Sequence, residues 1–275
     1  MARWGPAVQR GGRLIVRYLR LLRLFFRTEL QYELEYRLNL LLEILQTAVV
    51  TATSVGAVLV LFNYTTVLNG WDLGAMLVLL GCFYLVQGFG ELVLQPSFEK
   101  FMEHVRLGTL DFALLKPASP QFLVTLRHFQ VVQFAQMALG AIVVAVGLSR
   151  IPSVGAFEAV GFPIALVCGF ALIYALLLAL STFAFWFVRV DNLMALYWSF
   201  MDAGRFPVDV YPGWLRVTLS SAVPIGVAVT VPAQVIAGRL DPAGLGLLVL
   251  GTVAAFVLAS WFWRLGLRSY TGASA

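Results

Sequence analysis

Residues 95–121, QPSFEKFMEHVRLGTLDFALLKPASPQ, are the only long polar interruption between the first apolar run of the chain and its C-terminus. Proline at the first turn, acids early, bases late and Gly108 after the end predict a short helix beginning at Pro96. Phe98, Phe101, Met102 and Val105 fall at i, i+3, i+4 and i+7 and make one apolar stripe, while Glu99, Lys100, Glu103 and Arg106 lie largely elsewhere around the helix. Such a stripe needs a groove. Two readings fit it: a helix at the lipid headgroups or on the inner ends of its own bundle, and a helix docked into a separate soluble protein.

On either side of this stretch the chain is built for lipid. Of its 275 residues 60% are hydrophobic and only 12% charged, where a soluble domain carries about a quarter. The expectation is an integral membrane protein, all-α and polytopic, folded as one domain over residues 1–275. Cys82 and Cys168 sit inside apolar runs with no metal-ligand spacing around them, which reads as buried small hydrophobes. The formal net charge of +5 is local, because residues 1–37 hold eight arginines against three glutamates.

Those arginines are patterned. Arg10, Arg13, Arg17, Arg20, Arg23 and Arg27 recur every three or four residues opposite Leu14, Ile15, Tyr18, Leu19, Leu22, Phe25 and Phe26. This is the pattern of an interfacial amphipathic helix, and with its elbow it occupies residues 1–37 on the cytoplasmic side. A signal peptide is disfavoured, since arginine breaks the apolar core and no small-residue cleavage site follows. Nucleic acid would use the arginines but not the interleaved leucines and phenylalanines; anionic lipid satisfies both faces.

Six apolar runs are predicted to span: Leu38–Phe62, Trp71–Leu94, Phe122–Leu148, Val160–Val188, Asn192–Phe206 and Ala243–Leu265. Small residues mark close-packing faces: Ala48, Ala52 and Gly56 in the first, Gly74, Gly81 and Gly88 in the second, Gly161, Ala165 and Gly169 in the fourth, Gly251, Ala255 and Ala259 in the sixth. Pro207, Pro212, Pro224 and Pro232 forbid one straight span through residues 207–239, which read instead as a re-entrant helical hairpin over Gly213–Gly238. With Tyr211 and Trp214 as interfacial rings, this hairpin is expected to cap an exit path from outside, so that Pro207, Tyr211, Pro212, Trp214, Pro224 and Pro232 are the candidate gate. Lysine and arginine divide fifteen against four if both termini are cytoplasmic, which also places residues 95–121 inside.

The chemistry of an enzyme is missing. No Gly-rich phosphate loop ends in Gly-Lys-Ser or Gly-Lys-Thr, only His104 and His128 are available as histidines, and no paired aspartates offer a magnesium site. Glu43, Glu91, Asp191, Asp202 and Arg205 are the ionisable residues near the spans, with Asp202 and Arg205 read as an i, i+3 pair near an outer end. They make no relay across the bilayer, which weakens a secondary-transporter reading. A membrane assembly or anchoring protein is the other alternative.

Three motifs carry a resemblance: Tyr36-Arg37-Leu38-Asn39 with Glu43, Gly108-Thr109-Leu110-Asp111-Phe112-Ala113-Leu114-Leu115-Lys116-Pro117, and Phe206-Pro207 to Tyr211-Pro212. With the topology, they make nearly the whole chain resemble the permease subunits of type-2 ABC exporters, in particular a bacterial subfamily that pairs two permeases. The resemblance implies a cytoplasmic coupling helix within residues 95–121, with Phe98, Glu99, Phe101, Met102, Val105, Arg106 and Asp111 contacting a separate ABC ATPase. It also implies that ATP and magnesium belong to that partner with no cofactor in this chain, that a second, related or identical permease chain completes the path, and that the bacterial plasma membrane is the location. An apolar lining with few fixed charges points to an amphipathic or hydrophobic cargo.

Overall fold

The computed structural model describes residues 6–111, 115, 119–187 and 191–270, with side chains from Tyr18 onward except those of Asp191, Asn192 and Ala222. Its elements are α1 (Pro6–Glu35), α2 (Arg37–Tyr64), α3 (Leu73–Phe89), α4 (Gln95–Arg106), α5 (Pro120–Thr125), α6 (Gln133–Leu148), α7 (Ala156–Thr182), α8 (Asp191–Ala203), α9 (Gly213–Val217), α10 (Ile225–Ile236) and α11 (Pro242–Ser269). Among the described residues there is no strand. Among the same residues four helical runs are long and apolar enough to cross a membrane: Arg37–Tyr64, Leu73–Arg106, Ala156–Phe185 and Pro242–Ser269. A fifth exists if Gly213–Ser221 and Ile225–Ile236, bent by 91°, count as one crossing. The chain is thus an all-helical membrane protein.

The run Leu73–Arg106 is its axis. A helix apolar on every side is stable only when surrounded, and 83% of this run's most apolar window is buried. The helical path does not break at Pro96: α3 passes through a π turn, Gly90–Leu94, straight into α4. Proline inside a helix strands the carbonyl four residues before it, here that of Leu92. Gln130 donates its backbone N–H to that oxygen at 2.9 Å, so the proline is tolerated where the sequence suggested a helix start.

Glycines decide how closely α3 meets α6. A Cβ on Gly81 would lie 2.7 Å from the Gly140 carbonyl, and one on Gly147 would lie 2.7 Å from the Val78 nitrogen. The seven-residue spacing of Gly74, Gly81 and Gly88 therefore has a partner spacing, Gly140 and Gly147, on the facing helix. Gly56 and Gly251 by contrast have open space where a Cβ would stand, so the small-residue faces of α2 and α11 are not used at those positions within the chain.

α7 carries α10 on one side and α11 on another. Pro232, expected to break the chain, lies buried inside α10 and strands the Ala228 carbonyl. That oxygen approaches Gly169 of α7 so closely that a Cβ there would stand 2.5 Å from it. Only a residue without Cβ admits this approach.

Two predicted spans change. The run Phe122–Leu148 is two helices, α5 and a 16-residue α6, separated by Leu126–Val132, whose polar backbone groups are drawn to α1 and to the α3–α4 rod. The fifth run is the 13-residue α8, about 20 Å long at 1.5 Å per residue and too short for a ~30 Å hydrocarbon core. α8 packs Tyr197 near Gly90 and reaches Phe83, partway along α3, at Gly204. A 3-10 turn, Val208–Val210, then continues to the far end, where the Asn69 amide donates to the Asp209 carbonyl at 3.3 Å. Asn69 and Gly70 both have positive φ, the geometry of a two-residue primed turn between Leu68 and Trp71, and Arg239 stacks over the Trp71 ring at 4.7 Å.

Candidate functional site

The stripe of α4 finds its groove within the chain. Phe98 and Phe101 are 0% and 1% exposed and Met102 is buried beside them. Phe101 meets Trp263 at 4.9 Å and Phe185 at 5.4 Å between ring centroids, and Phe98 lies 6.5 Å from Tyr174. These aromatics come from α7, the turn after it and α11, so α4 is packed onto the end of the bundle. Phe98, Phe101 and Met102, expected at a contact with another protein, are thus buried against aromatics of their own chain. Val105 and Asp111 are half-buried.

What α4 offers to solvent is its charged side. Glu99, Lys100 and Arg106 are exposed, as are Leu107 and, further on, Leu115 at 82%. Lys100 and Glu103 pair at 2.8 Å, an i, i+3 contact between exposed groups that stabilises little. Phe112–Leu114 and Lys116–Ala118 of the predicted coupling segment lie outside the described residues.

α1 is seated on the same end of the molecule. The backbone N–H of Ser119 donates to the Tyr18 hydroxyl at 3.2 Å, Tyr18 meets Phe122 edge-on at 4.5 Å, and Phe26 contacts Phe129 and Phe134. Glu29 pairs with His128 at 3.0 Å. The Glu33 carboxylate accepts from the backbone N–H groups of Val131 and Val132, capping α6 from another helix. Burial pushes the Glu33 carboxyl above the ordinary carboxylate value, against the downward pull of those two N–H groups, with Glu43 and Glu29 adding to the rise. Arg20, Arg23 and Arg27 point away from these contacts and are exposed, whereas the side chains of Arg10, Arg13 and Arg17 lie outside the described residues.

Two adjoining cavities follow. The larger, about 890 Å³, lies between the α1–α2 elbow and α4 and is lined by polar residues that include Glu29, Asn39, Lys100 and His128. The smaller, about 270 Å³, runs between α2, α3 and α6 and shares Glu43, Val132 and Gln133 with the first. Its polar residues include Tyr84, Gln87, Glu91, Gln136 and Arg205. Arg205, assigned by sequence to an outer end, thus stands beside Phe83, its guanidinium 5.4 Å from the ring centre, and pairs with Asp202 at 3.0 Å. Gln136 is 7% exposed, and neither its Nε2 nor the buried Nε of Arg205 has a partner. Leaving such a donor bare costs about 1–3 kcal/mol. The sequence carried a signal that was passed over: Gln87, Gln133 and Gln136 are amides inside otherwise apolar runs.

The proline-broken region is only partly external. Trp214 is 71% exposed and Pro212 is exposed, whereas Pro207 and Pro232 are buried. Pro224 is half-buried at the 91° bend, and the half-buried Tyr211 donates its hydroxyl to the Ala203 carbonyl at 2.8 Å. Of the six residues expected at the gate, Pro207 and Pro232 thus lie in the packed interior.

A family model described as ABC-2 family transporter protein matches residues 48–274. No curated protein and no solved structure matches the chain.

Proposed function

The chain belongs to the ABC-2 family of transporter proteins, and on that premise we propose that it is the membrane subunit of an ATP-driven exporter whose ATP and magnesium are held by a separate ABC ATPase. Membership makes the chain a permease, a multi-pass membrane transport subunit that is not itself catalytic. The observation that supports coupling is the unbroken helical rod Leu73–Arg106: one end carries the exposed charges of α4 and the other runs through the centre of the bundle. A push on Glu99, Lys100 and Arg106 is delivered to the core without a hinge, because Phe98 and Phe101 lock the end of the rod to α7 and α11. Coupling in this reading is electrostatic at the surface, with the aromatic stripe transmitting rather than docking.

The rest of the proposal follows the same frame. A second permease chain, related or identical, completes the path, and the open faces of α2 and α11 are available to it or to lipid. α1 lies in the cytoplasmic headgroup layer with its arginines on anionic lipid. Both termini and α4 face the cytoplasm of a bacterial cell, α5 with α6 and α8 with the segment after it complete a six-crossing path, and Tyr211, Pro212 and Trp214 stand at the outer mouth. The cargo is amphipathic.

Two experiments test this. Lys100→Glu combined with Arg106→Glu should leave the purified permease monodisperse, since both positions are exposed, and lower ATPase copurification at least tenfold. Unchanged copurification would remove the charged face from the coupling role. For topology, with Cys82 and Cys168 replaced, cysteine at Ser153 should react with an impermeant thiol reagent in intact cells and cysteine at Leu115 should not. The reverse pattern would invert the orientation.

A further inference from the structure

Two contacts fix the depth of α8 in the bilayer. The Tyr197 hydroxyl stands 3.3 Å from where a Cβ on Gly90 would be, and a Cβ on Gly204 would meet the Phe83 ring at 3.4 Å. The two contacts are equally far apart along both helices, so α8 and α3 run side by side in opposite directions. Asp202 is thus level with Leu85 and Arg205 with Phe83, about 18 and 15 Å from the Leu73 end of a rod that crosses a ~30 Å hydrocarbon core. The Arg205 guanidinium over the Phe83 ring agrees with that level. This is the middle of the membrane.

At that depth the pair is not enclosed. The Asp202 side chain is 65% exposed and that of Arg205 37%, with 3.0 Å between them. Arg205 lines the 270 Å³ cavity, whereas Asp202 does not and is turned to the outside of the chain. Ser199 is exposed one turn before it, and the exposed Leu196 and Phe206 continue the row at either end. Charges in mid-bilayer face protein or water, not acyl chains, so this row needs a cover from outside the chain. α11 gives the contrast: its exposed Leu247, Leu250, Val253 and Val257 suit lipid as they stand.

Charge complementarity decides what the cover is. Two copies of one chain insert in the same orientation, so a twofold axis between them runs along the bilayer normal and equal depths meet. Asp202 and Arg205 differ in depth by about 4.5 Å, within the reach of an arginine side chain. Each copy can then place its acid against the other's base in both directions at once, the mark of a self-complementary patch. A row of one sign would repel its own copy.

We propose that the exposed row of α8 is the seam on which a second copy of this chain docks, with Asp202 of each copy accepting from Arg205 of the other. The proposal rests on the transporter reading and identifies its second permease as the same chain. Because Arg205 also lines the cavity, the seam closes that cavity on the α8 side.

The test uses the full chain without ATPase, labelled in two colours and reconstituted in phosphatidylcholine vesicles at a low protein-to-lipid ratio, with energy transfer reporting self-association. The natural chain should pair. Asp202→Arg and Arg205→Asp should each weaken self-association about tenfold, and an equimolar mixture of the two should recover it, since two bases then face two acids. Neither variant holds the pair within its own chain, so a purely intrachain role predicts no recovery. A cross-link reads the seam without charge variants. With Cys82 and Cys168 replaced, Ser199→Cys should form a disulfide-linked dimer on oxidation, and Leu250→Cys on the exposed side of α11 should not. A monomeric natural chain, a mixture no better than either variant, or Ser199→Cys linking no more than Leu250→Cys would each overturn the seam. Copurification of this chain with an ATPase and a different permease in place of the second copy would also overturn it, while leaving the exporter reading intact.

Discussion

A Phe98→Asp, Phe101→Asp double variant is expected to disappear from the folded fraction of solubilised membranes, running in the void or being degraded on fluorescence-detected size exclusion. Both rings are essentially without exposure, and Phe101 sits among Trp263 and Phe185. Truncating one buried phenylalanine costs about 3–5 kcal/mol, and burying an unpaired carboxylate adds to that. Two such changes reach the whole stability of an ordinary domain, about 5–15 kcal/mol. Were these rings a docking face, the variant would insert and behave as a monodisperse permease that merely lost its partner. A stable, ATPase-free Phe98→Asp, Phe101→Asp permease would therefore contradict the packing described above.

Gly169→Leu is expected to have the second largest effect. The Cβ alone would stand 2.5 Å from the Ala228 carbonyl, a backbone atom of α10 rather than the end of a flexible side chain, so α7 and α10 must separate. Overpacking of this kind costs about 1–3 kcal/mol where neighbours can yield and more where they cannot. The thermal midpoint of the purified permease should fall by many degrees or the protein should fail to accumulate. Gly56→Leu and Gly251→Leu provide the contrast: both positions have open space and should change the midpoint little. A Gly169→Leu midpoint equal to theirs would mean that α7 and α10 do not make this contact.

These cases mark where the sequence was legible. Length and apolarity were enough for α2, α3, α7 and α11, because about 20 apolar residues leave few alternatives. The spacing of Gly74, Gly81 and Gly88 announced a close-packed face, but the same kind of spacing in Ala48, Ala52 and Gly56 did not lead to contact at Gly56, since a small-residue face says nothing about who fills it. Proline was legible only in part. Pro96 does stand in the first turn of α4, yet helical path also runs into it from α3, where the Gln130 N–H meets the Leu92 carbonyl that the proline strands; Pro232 lies inside α10, with its stranded Ala228 carbonyl against Gly169. Such partners are set by tertiary packing and leave no local mark.

The candidate site shows the same division. Periodicity gave the α4 helix, with Pro96 against an observed Gln95–Arg106, and its two faces. It could not say which face meets the bundle, and the apolar face of a short helix fits its own core as readily as a partner's groove. Arg205 was placed by counting along a span that is in fact a 13-residue helix reaching only partway along α3. The amides Gln87 and Gln136 were readable as intramembrane polar groups, but their convergence with Arg205 depends on how α8 returns to α3.

The coupling of this permease to an outside ATPase is tested most directly by isolating the tagged full chain from the membranes of its own cells under mild detergent and measuring what accompanies it. The expected result is an ABC ATPase in stoichiometric amount, with ATP hydrolysis in the purified complex that the Lys100→Glu, Arg106→Glu permease no longer retains. A permease that comes away without any ATP-hydrolysing subunit, and that moves its cargo across reconstituted membranes unaided, would contradict the account.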